Sequence, residues 1–257
     1  MKAIRIFLLI LIIIGIVLLL TQKLWVPKLV NQILISEGFP DGKDIPSSQT
    51  GDKNIPISIT TKDIKEENFS GTVPVISGTS ILAVKMREYI DSLVLEFRND
   101  ANISVPSVKE EFGADSPIAD YNISIDSEYI KGQKTESIAT SVYTYTGGAH
   151  GSSSYKVMTT YISGDRILSL SDIVKQSEQK NFVEFVKKQL NDWRPDGEDV
   201  SPVFAEDINS LTFDSFENWS IDDQNLTIYF DQYAIGPGVL GAVPFPLSLS
   251  IIKNFLQ

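Results

Sequence analysis

An uninterrupted apolar run near the N-terminus divides this 257-residue chain into two parts that must behave differently. Residues 7–20 read FLLILIIIGIVLLL and follow Lys2 and Arg5, a pattern typical of an export signal or a membrane anchor. Because no small-x-small cleavage pattern follows, we favour an uncleaved signal-anchor helix in residues 1–35, with the N-terminus inside and the ectodomain outside the cytoplasmic membrane. The alternative is a protein secreted after signal cleavage.

The composition excludes several kinds of site. The chain contains no cysteine, so it can form no disulfide, no thiolate zinc site and no cysteine nucleophile. Its single histidine, His150, provides at most one imidazole base and no set of histidine ligands. We therefore expect neither a metal nor a cofactor.

The residues that follow the apolar segment are strongly acidic. Four of the 22 basic residues but none of the 33 acidic residues precede residue 36, so residues 36–257 carry a net charge of −15. Such a domain disfavours nucleic acid, which we exclude as a partner, and attracts basic proteins. The alternative explanation is that acidity only keeps an exported domain soluble.

Hydrophobic patterning predicts an α+β fold, with antiparallel sheets and amphipathic helices packed on one face. Residues 36–55 are rich in Gly, Pro, Ser and charge, and they predict a flexible stalk. Residues 56–115 predict a first α/β module, with short strands at 56–61 and 69–76 and an amphipathic helix over 79–99.

Residues 116–257 predict a second α/β module. It begins with three alternating strands, around 121–125, 137–145 and 155–161, which predict an antiparallel meander with a glycine-rich turn at 146–154.

The rest of this module is predicted to contain a helix, a hairpin and a glycine- and proline-rich loop. The helix is expected over 177–193, the hairpin strands at 216–221 and 226–230, the loop from residue 233 to 246, and a last helix over 249–255.

Three motifs together resemble a known pair of domains. They are IKEENF at 64–69 followed by VPVISG at 73–78, YTYTGGAHG at 143–151, and LTIYFDQYAIGP at 226–237 with Gly241. This combination is similar to the paired extracytoplasmic domains of unknown function shared by RsiV-type anti-sigma factors and the N-terminal region of PdaC-type peptidoglycan deacetylases. The resemblance covers about residues 56–257.

The sequence also departs from these relatives. Only residues 1–6 precede the apolar run, so we expect no sigma-binding role. The deacetylase metal site needs two histidines and a paired aspartate, whereas Ser215 follows Asp214 at the one similar stretch, so we expect no catalysis. Gly238 stands where the family often has an aromatic residue.

The candidate binding residues lie in the two segments richest in turn-forming residues. Exposed loops of this kind commonly carry recognition. The candidates are Tyr145, Gly147, Gly148, His150, Tyr233, Ile235 and Pro237.

Other interpretations of the same residues remain open. His150 could simply fix the glycine-rich turn through a backbone hydrogen bond. His150 with Ser152 to Ser154 provides the residue types of a serine hydrolase, but the nucleophile elbow is absent. Tyr143, Tyr145, Tyr155 and Tyr161 predict either a carbohydrate platform or cross-strand packing.

These observations predict a membrane-tethered binding module without catalysis of its own. Its partner would be an envelope component such as a peptidoglycan fragment, or a basic protein such as lysozyme, a ligand that the resemblance implies. The alternatives are a peptidoglycan-modifying enzyme and a structural accessory to a membrane protein.

Overall fold

A five-stranded sheet in the order β1-β2-β3-β4-β5 is the larger of two sheets in the computed structural model, which describes residues 55–195 and 201–257. The predicted anchor at 1–35 and the predicted stalk, apart from Ile55, lie outside these residues. No helix within the described ranges is long and apolar enough to cross a membrane. The five strands are Ser58–Lys65, Phe69–Ser77, Tyr121–Lys131, Thr135–Tyr145 and Ser152–Tyr161.

The predicted meander of β3, β4 and β5 is confirmed, because both of its strand pairs are antiparallel. β2 and β3 are parallel instead, with Phe69 opposite Tyr121. A parallel pair needs a long crossover connection, and the helix α1, Ile81–Phe112, provides it. The boundary predicted between residues 115 and 116 falls inside this sheet, so the two predicted modules share one set of strands.

Helix α1 is longer than the predicted 79–99. The Ser80 side chain caps its first turn by accepting a hydrogen bond from the Ala83 N–H at 3.3 Å. The helix continues through Pro106, which would ordinarily break it, to Phe112. The reason is tertiary, since the buried residues Ala101 and Val105 extend the apolar stripe onto the sheet.

One face of the large sheet packs under α1 and forms the first core. The first core consists mainly of aliphatic side chains. Its central members are Leu82, Ala83, Met86, Ile90, Ile123, Ile125, Ile138 and Val142.

The second core surrounds a three-stranded antiparallel sheet in the order β6-β7-β8. These strands are Trp219–Ile221, Asn225–Phe230 and Val243–Ser248, and the helices around them are α2, Gln179–Asp192, α3, Ala205–Ser210, and α4, Leu249–Ile252. The α+β prediction and the hairpin of β6 and β7 are confirmed. The first hairpin strand begins at Trp219 rather than at the predicted residue 216, since Phe216 ends a 3₁₀ turn, and the last helix ends at Ile252 rather than 255.

The second face of the large sheet contacts the small sheet through hydroxyl groups. Thr135 Oγ1 donates to the Ile221 carbonyl at 3.0 Å, and Thr159 Oγ1 donates to the Trp219 carbonyl at 2.8 Å. A small apolar patch of Ala139, Val157 and Tyr229 lies between them. The described residues therefore form one compact unit with two cores.

Candidate functional site

The outer edge of β5 is closed by side chains rather than by another strand. Three backbone N–H groups on this edge donate to side-chain oxygens: Ser153 to Gln232 Oε1 at 2.9 Å, Tyr155 to Asp231 Oδ1 at 2.7 Å, and Val157 to Asn218 Oδ1 at 3.0 Å. An edge strand protected in this way cannot pair with another chain. The same bonds fix the start of the loop after β7 beside the glycine-rich turn after β4.

The glycine-rich turn is shaped by its own residues. The Tyr145 hydroxyl donates to the Gly148 carbonyl at 3.0 Å. Gly147 and Gly148 have φ values of 90° and 95°, which L side chains rarely adopt. A Cβ at Gly147 would also lie 2.8 Å from the Ile118 carbonyl oxygen. Tyr145 and Gly147 therefore maintain the shape of the turn.

The loop after β7 presents one tyrosine in an unusual backbone conformation. Tyr233 has a φ of 69°, and 55% of its surface is exposed. Its ring lies so close to Gly238 that a Cβ there would be 2.4 Å from the ring Cζ, so the departure at Gly238 makes room for this tyrosine. Pro237 precedes a 3₁₀ turn, and Ile235, which is 2% exposed, belongs to the second core.

The turn and the loop meet at His150 and Tyr233. The Tyr233 hydroxyl is 3.3 Å from His150 Nε2, and the ring centroids are 6.4 Å apart. His150 Nδ1 lies 2.9 Å from the Gly151 carbonyl oxygen, which can only accept, so Nδ1 donates and Nε2 is the ring nitrogen that faces the Tyr233 hydroxyl. His150 thus makes the backbone bond expected of a turn residue and also contacts an exposed aromatic.

A shallow groove adjoins this contact on the part of the second face of the large sheet, over β3, β4 and β5, that the small sheet leaves uncovered. Its volume is about 200 Å³. Ser153, which bonds Gln232, and Ala242, from the loop after β7, join the groove to the His150–Tyr233 contact. Hydroxyl groups dominate its lining, which consists of Ser124, Asp126, Ser141, Val142, Tyr143, Ser153, Ser154, Tyr155 and Ala242.

The four strand tyrosines have different surroundings. Tyr155 packs on Tyr229 with ring centroids 4.9 Å apart, and burial, with a smaller effect from Glu128, raises the pKa of its hydroxyl. Tyr145 stabilises the turn. Tyr143 lines the groove with 41% of its surface exposed, whereas Tyr161 is equally exposed at the far end of β5. Only Tyr143 and Tyr155 thus face the groove.

The described residues contain no group of three or more histidine, aspartate and glutamate side chains arranged to hold a metal ion. Among the carboxyl groups of the described residues, Asp172 has the most strongly lowered pKa. Arg166 forms two hydrogen bonds with this carboxylate, at 2.7 and 2.9 Å, and Ser169 donates further hydrogen bonds to it. These bonds fix the turn after β5. Asp172 therefore has a structural role.

Two family models match this chain. Residues 61–153 match the model described as deacetylase PdaC, and residues 171–250 match the model of a protein of unknown function, DUF3298. The resemblance predicted from the sequence is confirmed. His150 lies in the region matched by the PdaC model, and Tyr233 lies in the region matched by the DUF3298 model. The contact between these two side chains therefore joins the two matched regions.

A curated relative contains both regions within a longer protein. The peptidoglycan-N-acetylmuramic acid deacetylase PdaC of Bacillus subtilis strain 168 is 21% identical over 213 residues, which cover 79% of this chain and 42% of that protein. The chain therefore spans less than half the length of this relative.

Two solved structures of DUF3298 family members are similar to this chain. One, from Bacteroides fragilis NCTC 9343, is 16% identical with a TM-score of 0.50, covering 78% of this chain and 94% of that one. The other, from Pseudomonas aeruginosa PAO1, is 14% identical with a TM-score of 0.48, covering 80% and 95%. The first likeness concerns the fold alone. The family matches and the curated relative support an accessory domain of the extracytoplasmic type.

No sequence pattern predicts the three side chains that close the edge of β5. Asp231 and Gln232 lie inside the third motif, yet their spacing gives no sign of a partner 76 or 79 residues away. Asn218 gives no sign either, because it precedes β6 in a segment predicted as strand. The one useful signal is that two polar residues, Asp231 and Gln232, directly follow the buried strand β7.

Proposed function

We propose that the described part of this chain is a non-catalytic module that binds a glycan strand of the cell envelope. The observation that carries this proposal is the hydroxyl-lined groove beside the contact of His150 with Tyr233. Serine and tyrosine hydroxyls both donate and accept hydrogen bonds, as a sugar requires, and Asp126 adds an acceptor. Tyr143 and Tyr233 offer exposed aromatic faces for the apolar side of a sugar ring.

The relative supports the choice of ligand. Its name describes an enzyme that acts on peptidoglycan. An accessory domain that holds such an enzyme on its polymer would raise the local substrate concentration. In this chain the same binding would hold the envelope polymer close to whatever the chain is attached to.

The predicted signal anchor makes this a tethered module on the outer face of the cytoplasmic membrane. Fractionation of cells tests this part separately. We expect the chain in the membrane fraction, resistant to alkaline extraction and degraded by protease added to spheroplasts. Release into the medium would instead favour signal cleavage.

Glycan binding is tested by co-sedimentation of the full chain, in detergent, with purified peptidoglycan. We expect saturable binding, and we expect Tyr143→Ala and Tyr233→Ala each to weaken it about tenfold, or about 1.4 kcal/mol. Tyr161→Ala is the matched control, because that tyrosine has the same exposure as Tyr143 outside the groove. Absence of saturable binding, or an equal effect of the control, would refute the proposal.

A basic protein such as lysozyme is a second candidate ligand, and charge favours it. Asp126 and Glu128 are both exposed on the face of β3 that borders the groove, within a region of net charge −15. Such complementarity accelerates association more than it raises affinity.

Lysozyme binding has its own test. The double variant Asp126→Asn with Glu128→Gln should slow lysozyme association and reduce its salt dependence. Glu110→Gln with Glu111→Gln, at the exposed end of α1, is the control. Lysozyme association unaffected by both changes and by salt would exclude this ligand.

A further inference from the structure

A cavity of about 600 Å³ opens between the two cores and shares no lining residue with the groove. Its walls are largely apolar. Met158 and Ile167 come from the first core, and Phe213 and Phe216 come from the second. A volume of this size is in the range of sites that enclose small molecules, roughly 300–1,000 Å³.

Charged side chains of opposite sign line the open cavity on its two sides. Lys85 on α1 and Lys156 on β5 come from elements of the first core. Asp214 and Glu217 come from the 3₁₀ turn Phe213–Phe216 and the residue after it, which pack on the second core. The two cores thus present cations and carboxylates to the same space.

Most of these charges have no partner within the described residues. Lys156, Asp214 and Glu217 form no side-chain hydrogen bond there and no ion pair within 4.0 Å, whereas Lys85 pairs with Glu88 at 2.7 Å. Charges beside an apolar wall gain most from a ligand that brings the opposite charges, because charge-assisted hydrogen bonds are the strong ones.

We infer that this cavity binds a small zwitterion, an amino acid or short peptide with a free ammonium and a free carboxylate. The ammonium would meet Asp214 and Glu217, the carboxylate would meet Lys156, and the apolar walls would enclose the side chains. Because the lining carries two charges of each sign, a ligand with one sign of charge gains attraction and repulsion together, whereas a zwitterion can place each end beside the opposite charge. The mixture of signs therefore selects a ligand that carries both. This inference is independent of the proposed glycan groove.

Isothermal titration of the full chain in detergent with the dipeptide Ala-Leu tests this inference. We expect saturable binding of Ala-Leu. N-acetyl-Ala-Leu, which lacks the ammonium, and Ala-Leu-amide, which lacks the carboxylate, should each bind about tenfold more weakly. Absence of saturable Ala-Leu binding would overturn the inference.

Two variants assign each end of the ligand to its wall. Lys156→Met should weaken binding of Ala-Leu but not further weaken binding of Ala-Leu-amide, whose carboxylate is already absent. Asp214→Asn with Glu217→Gln should weaken Ala-Leu but not N-acetyl-Ala-Leu. Lys131→Met and Asp115→Asn, both exposed outside the cavity, are the controls and should change nothing. Equal loss for free and blocked dipeptides would show that the charged ends are not recognised and would overturn the assignment.

Discussion

The two cores of this protein are built in different ways. The first core consists of one long helix whose aliphatic stripe covers one face of a sheet. The second core is centred on Phe182, whose ring contacts those of Phe213, Phe216 and Phe255 edge-on at centroid distances of 6.4, 6.1 and 5.7 Å. The first core draws on segments with regular periodicity, whereas the second also draws on short turns and the chain terminus. A periodic core can be located from sequence, but an aromatic cluster of this kind is assembled only by the fold.

Tryptophan positions allow the two cores to be observed separately. Trp193 and Trp219 both belong to the second core, and the remaining tryptophan, Trp25, precedes the described residues. In a Trp25→Phe background, tryptophan fluorescence therefore reports on the second core, while circular dichroism reports on both. Because hydroxyl and amide bonds join the two cores, we expect them to unfold together.

Phe182→Ala should have the largest effect on stability. It removes a fully buried ring and three edge contacts, so the free energy of unfolding should fall by about 3–5 kcal/mol. Urea unfolding followed by tryptophan fluorescence measures it. Phe112→Ala, at an exposed position 57% accessible to solvent, is the control and should have little effect.

Leu82→Ala tests the first core and its coupling to the second. Leu82 is fully buried, so we expect a loss of about 2–5 kcal/mol in the free energy of unfolding. If the cores unfold together, fluorescence and circular dichroism will give the same midpoint in urea. A shift in circular dichroism alone would show that the cores unfold independently.

Asn218→Ala tests the closed edge of β5, which joins the cores. It leaves the buried Val157 N–H without its acceptor, and we expect a loss of about 1–3 kcal/mol in stability. Thermal unfolding measures the change. Asn209→Ala, an exposed position in α3, provides the comparison, and an equal loss there would contradict the assigned role.

Asp172→Asn should have the smallest effect, and that effect should depend on pH. The ion pair with Arg166 lowers the pKa of Asp172 in the folded state, so its stabilisation is present above the unfolded value of about 4 and is lost as the pH falls below it. Because the Arg166 side chain is largely exposed, we expect less than about 1 kcal/mol at pH 7.

Urea unfolding of wild type and Asp172→Asn at pH 7 and at pH 3 measures this difference. The difference in the free energy of unfolding between wild type and variant should be smaller at pH 3 than at pH 7. Asp115→Asn, at an exposed position, is the control. A difference that grows at low pH would contradict the assigned ion pair.

Local patterns predicted most elements of the first core. The meander of β3 to β5 followed from strict alternation, and the start of α1 followed from the spacing of Leu82, Met86 and Ile90. The end of α1 could not be predicted, because Pro106 breaks isolated helices and only packing of Val105 on the sheet outweighs it. The parallel pairing of β2 with β3 was also missed, since strand partners are chosen over long distances in the chain.

The candidate site was predicted in part. The sequence motifs indicated both the turn with His150 and the loop with Tyr233, and the structure brings these two side chains within 3.3 Å. It did not distinguish Ile235, which belongs to the second core, from the exposed Tyr233. The positive φ of Tyr233 leaves no local signal in the sequence. The space for its ring is provided by a glycine five positions later, and the sequence does not show that the two residues meet.

The sequence by itself determined the acidic character, the absence of cysteine, the single histidine, most of the strands, the position of the amphipathic helices and the three motifs of the domain pair. These properties depend on residue type and on spacing along the chain. The tertiary structure alone decided which strands pair, which N–H groups Asp231, Gln232 and Asn218 satisfy, and which charges meet in the cavity. The long-range contacts among these join residues some 50 to 130 positions apart, and neither hydrophobic periodicity nor local turn chemistry extends over such separations.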